Sequence, residues 1–222
     1  MKSGLTITEM AAEIERQADA KADYLVNPLN MEVDPTGRVP MLRLVENGVD
    51  LLEPLAIQET AHRQMGAHLN IPWKYYERML QEEPGLLADN VNHWLHKGEP
   101  TQRLLRTIDG KARAFLSNRY RCIDNFEIAT AVLPIIMEMQ GARFESAQIT
   151  ENYMYIKVVN PRLTGEVRVG DVVQAGVVIS NSETGLGAVN VQPLVYRLAC
   201  LNGMVVNDNS TRTRRNHVGR AN

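Results

Sequence analysis

Residues 104–125 read LLRTIDGKARAFLSNRYRCIDN, and the reading of this stretch decides the fold. Asp109-Gly110 stands between two β-compatible runs, with Leu105 and Thr107 before it and Ala112, Ala114 and Leu116 after it. A type I′ turn needs positive φ at both central positions, so Asp-Gly between such runs predicts a two-residue hairpin. Asn118-Arg119-Tyr120-Arg121 then forms a corner with two guanidiniums around one aromatic ring. Asp124 with Glu127 has capping-box spacing, and Ile128, Val132, Ile135, Ile136 and Met139 recur at helical spacing up to Gly141. Pro134 inside that helix predicts a kink.

The same stretch is basic. From Lys97 to Arg121 there are seven Lys or Arg (97, 103, 106, 111, 113, 119, 121) and two acids (99, 109), a local balance of +5. One reading is an ordinary solvated face on a two-stranded edge. The other is a surface that tracks phosphates, with Arg103, Arg106, Lys111, Arg113, Arg119 and Arg121 as paired donors and Tyr120 stacked on a base. The whole chain carries −2, but residues 1–100 hold 9 basic and 16 acidic side chains (−7) and residues 101–222 hold 15 and 10 (+5). That asymmetry favours a polyanionic partner for the second half.

Composition bounds the class. Hydrophobic residues make up 44% and charged residues 23% of the 222, which is enough for a real core. No apolar run reaches the ~20 residues that span a bilayer, so no membrane association is expected. The N-terminus MKSGLTITEMAAEIE has no apolar signal-peptide core. Cys122 and Cys200 fit no metal spacing and read as reduced thiols of a cytoplasmic protein.

Upstream, Thr6 and Glu9 make a capping box, and Ile7, Met10, Ala11 and Ile14 give an apolar stripe on a helix running to about Ala20. Such a helix can pack on this domain or serve as an adaptor for a neighbour. Leu29, Met31 and Val33 alternate, residues 34–37 turn, and Val39–Val45 reads as a strand whose Pro40 argues for an edge. An edge there could add strands between copies, which supports a homo-oligomer. Ile57–Leu69 and Trp73–Leu80 read as two helices joined at Ile71-Pro72, either a helix-turn-helix reader or a packed corner with Trp73, Tyr76 and Met79 inward. A third helix opens at Pro84. On it His93 and His96 are three apart but lack further ligands for zinc, and His62 and His68 read as surface or capping residues.

Downstream, residues 143–149, 152–159 and 172–180 read as strands, the last apolar enough for burial on both faces. Tyr153 and Tyr155 share one strand face, as a base platform or as ordinary cross-strand packing. The loop Asn181–Gly187 has the composition of a hairpin or ligand-binding turn but lacks the phosphate-binding glycine patterns, so no cofactor is expected. The character of residues 189–204 is ambiguous between strand and helix. The tail carries Arg212, Arg214, Arg215 and Arg220 with no acid and suits phosphates. The expected organisation is therefore α+β. A mainly helical region with a small hairpin covers residues 1–100, an antiparallel core covers 101–210, and a basic tail covers 211–222. The core's order is helix-β-β-helix-β-β-β, with a helix packed on one sheet.

The blocks AFLSNRYRCIDNFEI (114–128) and GVVISNSETGLGAVNVQPLVYRLACLNGMVV (176–206) resemble a phage- and plasmid-like family of unknown function. AHRQMGAHLNIPWKYYERML (61–80) and RTRRNHVGR (212–220) extend the resemblance from about residue 50 to the end. It implies a mobile-element protein in a bacterial cytoplasm, and the family supplies no catalytic residues. At the level of architecture, the order of elements is also similar to the core of ring-forming single-strand annealing proteins of the RecT, Red-beta and Erf types, with the final helix absent or beyond Asn222. That resemblance implies a single-stranded DNA groove along the basic hairpin.

Three functions follow as expectations. The first is single-stranded nucleic-acid binding, and annealing in recombination, by a homo-oligomer. The second is a structural or regulatory protein-binding module using the helix at 6–20. The third is a metal-dependent nucleic-acid enzyme using Glu183, Asp171 and His217, although no carboxylate pair has a suitable spacing.

Overall fold

The apolar stripes and strand runs assemble into two separate α+β units. The computed structural model describes residues 2–168, 171–197, 205–207 and 213–215. In chain order the elements are β1 (Lys2–Leu5), α1 (Ile7–Ala20), β2 (Lys21–Val26), β3 (Met31–Asp34), β4 (Met41–Glu46), β5 (Val49–Asp50), β6 (Leu55–Ile57), α2 (Glu59–His68), α3 (Trp73–Glu82) and α4 (Pro84–Lys97). Then come β7 (Arg103–Ile108), β8 (Lys111–Ser117), α5 (Asn125–Glu138), β9 (Arg143–Ile149), β10 (Met154–Arg168), β11 (Asp171–Asn181), β12 (Val189–Arg197), β13 (Val205–Asn207) and β14 (Thr213–Arg215). Residues 20–120 form one compact unit, inserted in sequence, and residues 1–19 with 121–222 form the other, the terminal unit.

The α+β class is as expected, but the division of the chain is not. A boundary near residue 100 would separate the hairpin from the N-terminal region. Instead β7 pairs antiparallel with β2, and β8 pairs parallel with β6, so the hairpin lies inside the inserted unit's sheet. The linear order helix-hairpin-helix-strands is present, yet β9–β12 belong to a different sheet, so hairpin and later strands do not share the single sheet expected. Spacing along the chain marks each strand and says nothing of its non-local partner.

In the inserted unit the sheet order is β2-β7-β8-β6-β4-β3, with β5 on β4. Asp109 (φ 50°) and Gly110 (φ 68°) make the expected positive-φ turn. Helices α2, α3 and α4 supply Ala61, Met65, Tyr76, Met79, Leu87, Val91 and Leu95 to a core shared with Met31, Val33, Leu42, Leu44, Leu105 and Phe115. Tyr76 and Met79 are buried, so the α2–α3 junction is the packed corner. β4 is hydrogen-bonded to β3 on one side and to β5 and β6 on the other, so the expected free edge at Arg38–Val45 is already occupied. His62 is buried rather than superficial, and its Nδ1 lies 2.9 Å from Tyr76 Oη. His96 Nε2 bonds the Met31 carbonyl at 3.0 Å, a structural tie between α4 and β3.

In the terminal unit the order is β1-β9-β10-β11-β12-β13, with β14 also on β12. β12 resolves the ambiguity at 189–197 in favour of strand. The capping box at Thr6 forms in full: the Glu9 carboxylate accepts from the Thr6 N–H (2.9 Å), and Thr6 Oγ1 accepts from the Glu9 N–H (3.2 Å). The stripe of α1 does not serve as an adaptor. Met10 and Ile14 are buried with Ile128, Ala129 and Ile136 of α5 and with Ala147, Ile149, Met154, Ile156 and Ile179 of the sheet. β11 is not buried along both faces: over residues 172–180 only Gln174 and Ile179 are buried, and Ala175 is exposed. Helix α5 runs through Pro134.

Two stability tests follow. Burial pushes the His62 imidazole down to about 4, so the unfolded chain takes a proton in a pH range where the folded one does not. That contribution is intact above pH 6.5 and is lost as pH falls toward 4, reaching about 2 kcal/mol by pH 5. Urea unfolding at pH 7 and pH 5 should show this excess loss relative to His62→Phe. Second, Arg106 Nε donates to Asp23 Oδ1 at 2.9 Å from a side chain only 1% exposed. Asp23→Ala should cost about 3 kcal/mol by leaving that guanidinium without its carboxylate, and Asp23→Leu/Arg106→Met should cost clearly less.

Candidate nucleic-acid interface

The hairpin's cations do not form a track. Strand residues alternate faces, so Arg103 and Arg106, three apart on β7, point to opposite sides of the sheet. Arg106 is fully buried against Asp23, its direct cross-strand neighbour. Arg113 is 5% exposed and sits at a β-bulge, where the register jumps from Arg106↔Ala114 to Thr107↔Ala112. Arg103 is half-buried with its Cζ 4.9 Å from the Phe115 ring centroid, and burial pulls it below the ordinary guanidinium range. Lys111, Arg119 and Arg121 are exposed and Tyr120 is half-buried. Three of the six cations assigned to phosphates are thus drawn into the fold, because a count of charges along a strand ignores its pleat.

The charge asymmetry also disappears in three dimensions. Each unit carries 12 basic and 13 acidic side chains, a net charge of −1 apiece. Of the tail, Arg212, His217 and Arg220 lie outside the described residues. Arg214 and Arg215 lie on β14, whose backbone pairs with the start of β12.

The terminal unit has a better-organised feature around the loop 181–188. Asn181, Ser182, Glu183 and Thr184 are buried. Glu183 Oε1 accepts from the Asn125 N–H at 2.6 Å, so its carboxylate caps the first turn of α5. Asp124 is buried at the cap position but makes no side-chain cap bond. A carboxylate at a helix N-terminus satisfies an orphan N–H and complements the helix dipole. Asn181 Nδ2 donates to the Ile123 carbonyl (3.0 Å) and to Asn125 Oδ1 (2.9 Å). Thr184 Oγ1 donates to Asn152 Oδ1 (3.2 Å), and Tyr153 Oη donates to the Leu186 carbonyl (2.9 Å). A Cβ at Gly187 would stand 3.0 Å from Tyr153 Cε1, so a glycine there lets the ring close on the loop. Glu183 is therefore a scaffold residue, and the loop read as a ligand-binding turn fixes Tyr153.

Tyr153 in turn stacks on Tyr155, with centroids 5.7 Å apart and planes at 27°. Tyr155 lies on the sheet face opposite the one carrying Ile156 and Ile179, which packs on the helices. Direct register links Gln148, Tyr155, Ser180, Asn190 and position 214 in one cross-strand row. Ser146, Lys157, Val178 and Gln192 form the next row on the same face. The side chains from Gln148 to Asn190 and from Ser146 to Gln192 are half-buried. Further along, Val159 and Leu194 are buried, and Tyr196 Oη donates to Glu145 Oε1 at 2.9 Å, bridging β12 to β9 over the two strands between. Burial, with Tyr153 adjacent, pushes the Tyr155 phenol up, so the ring is neutral at physiological pH. Alternation in Tyr-Met-Tyr-Ile-Lys shows in sequence which residues share a face. The polar neighbours Gln148, Ser180 and Asn190 were not singled out, because only the register aligns them.

Residues 114–222 match a family described as a domain of unknown function (DUF932), which covers the end of β8 and the whole C-terminal part of the terminal unit. No curated protein and no solved structure matches the chain. Among the described residues no group of three or more His, Cys, Asp or Glu is placed to hold a metal, and no helix is long and apolar enough to cross a membrane.

Glu183→Ala should destabilise the protein by about 2 kcal/mol, since it removes a charged acceptor from a buried N–H. Glu183→Gln keeps an acceptor and should cost under about 1 kcal/mol. Amide exchange at Asn125–Ile128 should accelerate in the alanine variant well beyond the glutamine variant.

Proposed function

We propose that the terminal unit binds single-stranded nucleic acid across the sheet face that carries Tyr155, in a bacterial cytoplasm and in a mobile-element context. The observation supporting this reading is the row Gln148–Tyr155–Ser180–Asn190–214. It sets a neutral aromatic ring among amides and a hydroxyl, and the backbone of β14 pairs at its end. Bases stack on such rings, amides bond base edges, and guanidiniums take phosphates. Lys157 in the neighbouring row adds a cation. Arg121, exposed and in the terminal unit, remains part of the proposal, whereas the buried or half-buried Arg103, Arg106 and Arg113 do not, and Arg119 and Tyr120 belong to the inserted unit. The resemblance to phage- and plasmid-like sequences and to annealing proteins favours single strands over duplex. It also makes strand annealing the activity to assay after binding.

For self-association the proposal moves from β4 to α5, where Phe126, Ile135 and Met137 are exposed, Met137 at 76%, with exposed Met139 just past its end. Exposed apolar groups of this kind mark interaction surfaces.

Anisotropy titrations with a labelled oligo(dT) at several salt concentrations test the binding. With about three phosphates neutralised, log K should fall with log salt at a slope of about −2. Tyr155→Ala should weaken binding by about tenfold or more, while Tyr155→Phe and Lys111→Ala stay near wild type. Salt-independent binding, or wild-type affinity in Tyr155→Ala, overturns the proposal. Faster joining of complementary strands in the same buffer would extend it to annealing.

A further inference from the structure

The inserted unit contains a cleft of about 440 Å³, inside the range of small-ligand sites. It lies between the segment leading into β4, strand β6 and helices α2 and α3. Val39, Pro40, Ile57, Trp73 and Leu80 supply its apolar walls, and Arg38, Glu59, Glu77 and Gln81 its polar lining. His62 also lines it. We propose that this cleft binds an uncharged heteroaromatic amine of nucleoside size, with His62 as its polar anchor.

The chemistry of the lining selects that class. His62 is 5% exposed, and its Nδ1 is engaged by Tyr76 Oη, so the ring is held in one orientation and Nε2 is the polar atom left for a ligand. A neutral imidazole in an apolar wall offers a single directional hydrogen bond, which suits a ring nitrogen. Trp73 is held in place by Tyr76, stacked at 5.6 Å and 17°, and by Arg63, whose Cζ is 4.0 Å from the ring centroid. The walls are thus formed before a ligand arrives, which lowers the ordering cost of binding. The carboxylates of Glu59 and Glu77 accept from an exocyclic amine, and Arg38 adds a cation to the same lining. Glu59 is itself paired with Arg63 at 2.7 Å, so Glu77 is assigned the amine.

The site shares no residue with the terminal unit's sheet face and does not depend on the nucleic-acid reading. The test is fluorescence titration of the full chain with 2-aminopurine riboside, with adenosine as competitor. Saturable quenching is expected, with adenosine displacing the probe. His62→Phe keeps the ring shape and removes both nitrogens, and should weaken binding about tenfold, the value of one hydrogen bond in an apolar site. Val39 is 57% exposed, so Val39→Trp can obstruct the cleft without disturbing the core, and should abolish saturable quenching. Quenching that does not saturate up to millimolar probe, or that survives unchanged in Val39→Trp, overturns the proposal. Failure of adenosine to displace the probe overturns it as well. Oligonucleotide binding should be unaffected by Val39→Trp, so failure here and failure of the sheet-face reading are separately visible.

Discussion

The contact on which the terminal unit depends is the Glu183 carboxylate on the Asn125 N–H. It joins residues 58 apart and ties the loop between β11 and β12 to the first turn of α5. Because the loop is fixed, Tyr153 can donate to Leu186 and close on Gly187, and Tyr155 can then stack on Tyr153. The same helix presents Ile128, Ala129 and Ile136 to the core, where α1 meets them with Met10 and Ile14. One buried carboxylate thus couples the helical side of the sheet to the aromatic side. A buried charge is tolerable only when fully bonded, and helix N-H groups are well suited to bond it.

Local signals were legible wherever the physics is local. Asp109-Gly110 specified its turn through backbone φ alone, and Thr6 with Glu9 specified a cap through bonds three residues apart. The alternation around Tyr155 specified its face. What the sequence did not show is long-range partnership. Asp124 and Glu127 have the spacing of a capping box, yet the cap comes from Glu183. The hairpin was correctly drawn but assigned to the wrong sheet, since a strand's sequence carries its pleat and not its neighbour. The bulge that buries Arg113 depends on β7–β8 register, which no count of charges contains.

The division of the chain explains why the charge pattern misled. The path enters the inserted unit after residue 19 and leaves it after residue 120, so both sequence halves contribute to both units. The acidic α1 segment adds its carboxylates to the basic C-terminal half, and the basic hairpin adds its guanidiniums to the acidic N-terminal half. Asp23 and Arg106 show the consequence at single-residue scale, an acid from one half and a base from the other neutralised across one strand pair. The family match begins at residue 114, so it omits β1 and α1, although Met10 and Ile14 complete the core of the matched region.

With each unit at −1, net charge does not draw a polyanion to this protein. The binding proposed at the Tyr155 face then rests on short-range forces, stacking and hydrogen bonds that form only on contact. Such an interface has a weak dependence on salt and a strong dependence on ring geometry, the reverse of a basic groove. The rigid support beneath Tyr153 fits that requirement, because a ring already held in place loses little freedom when a base settles on it. A flexible arginine stripe would need no such scaffold, and the buried polar loop under the tyrosines would then have nothing to position.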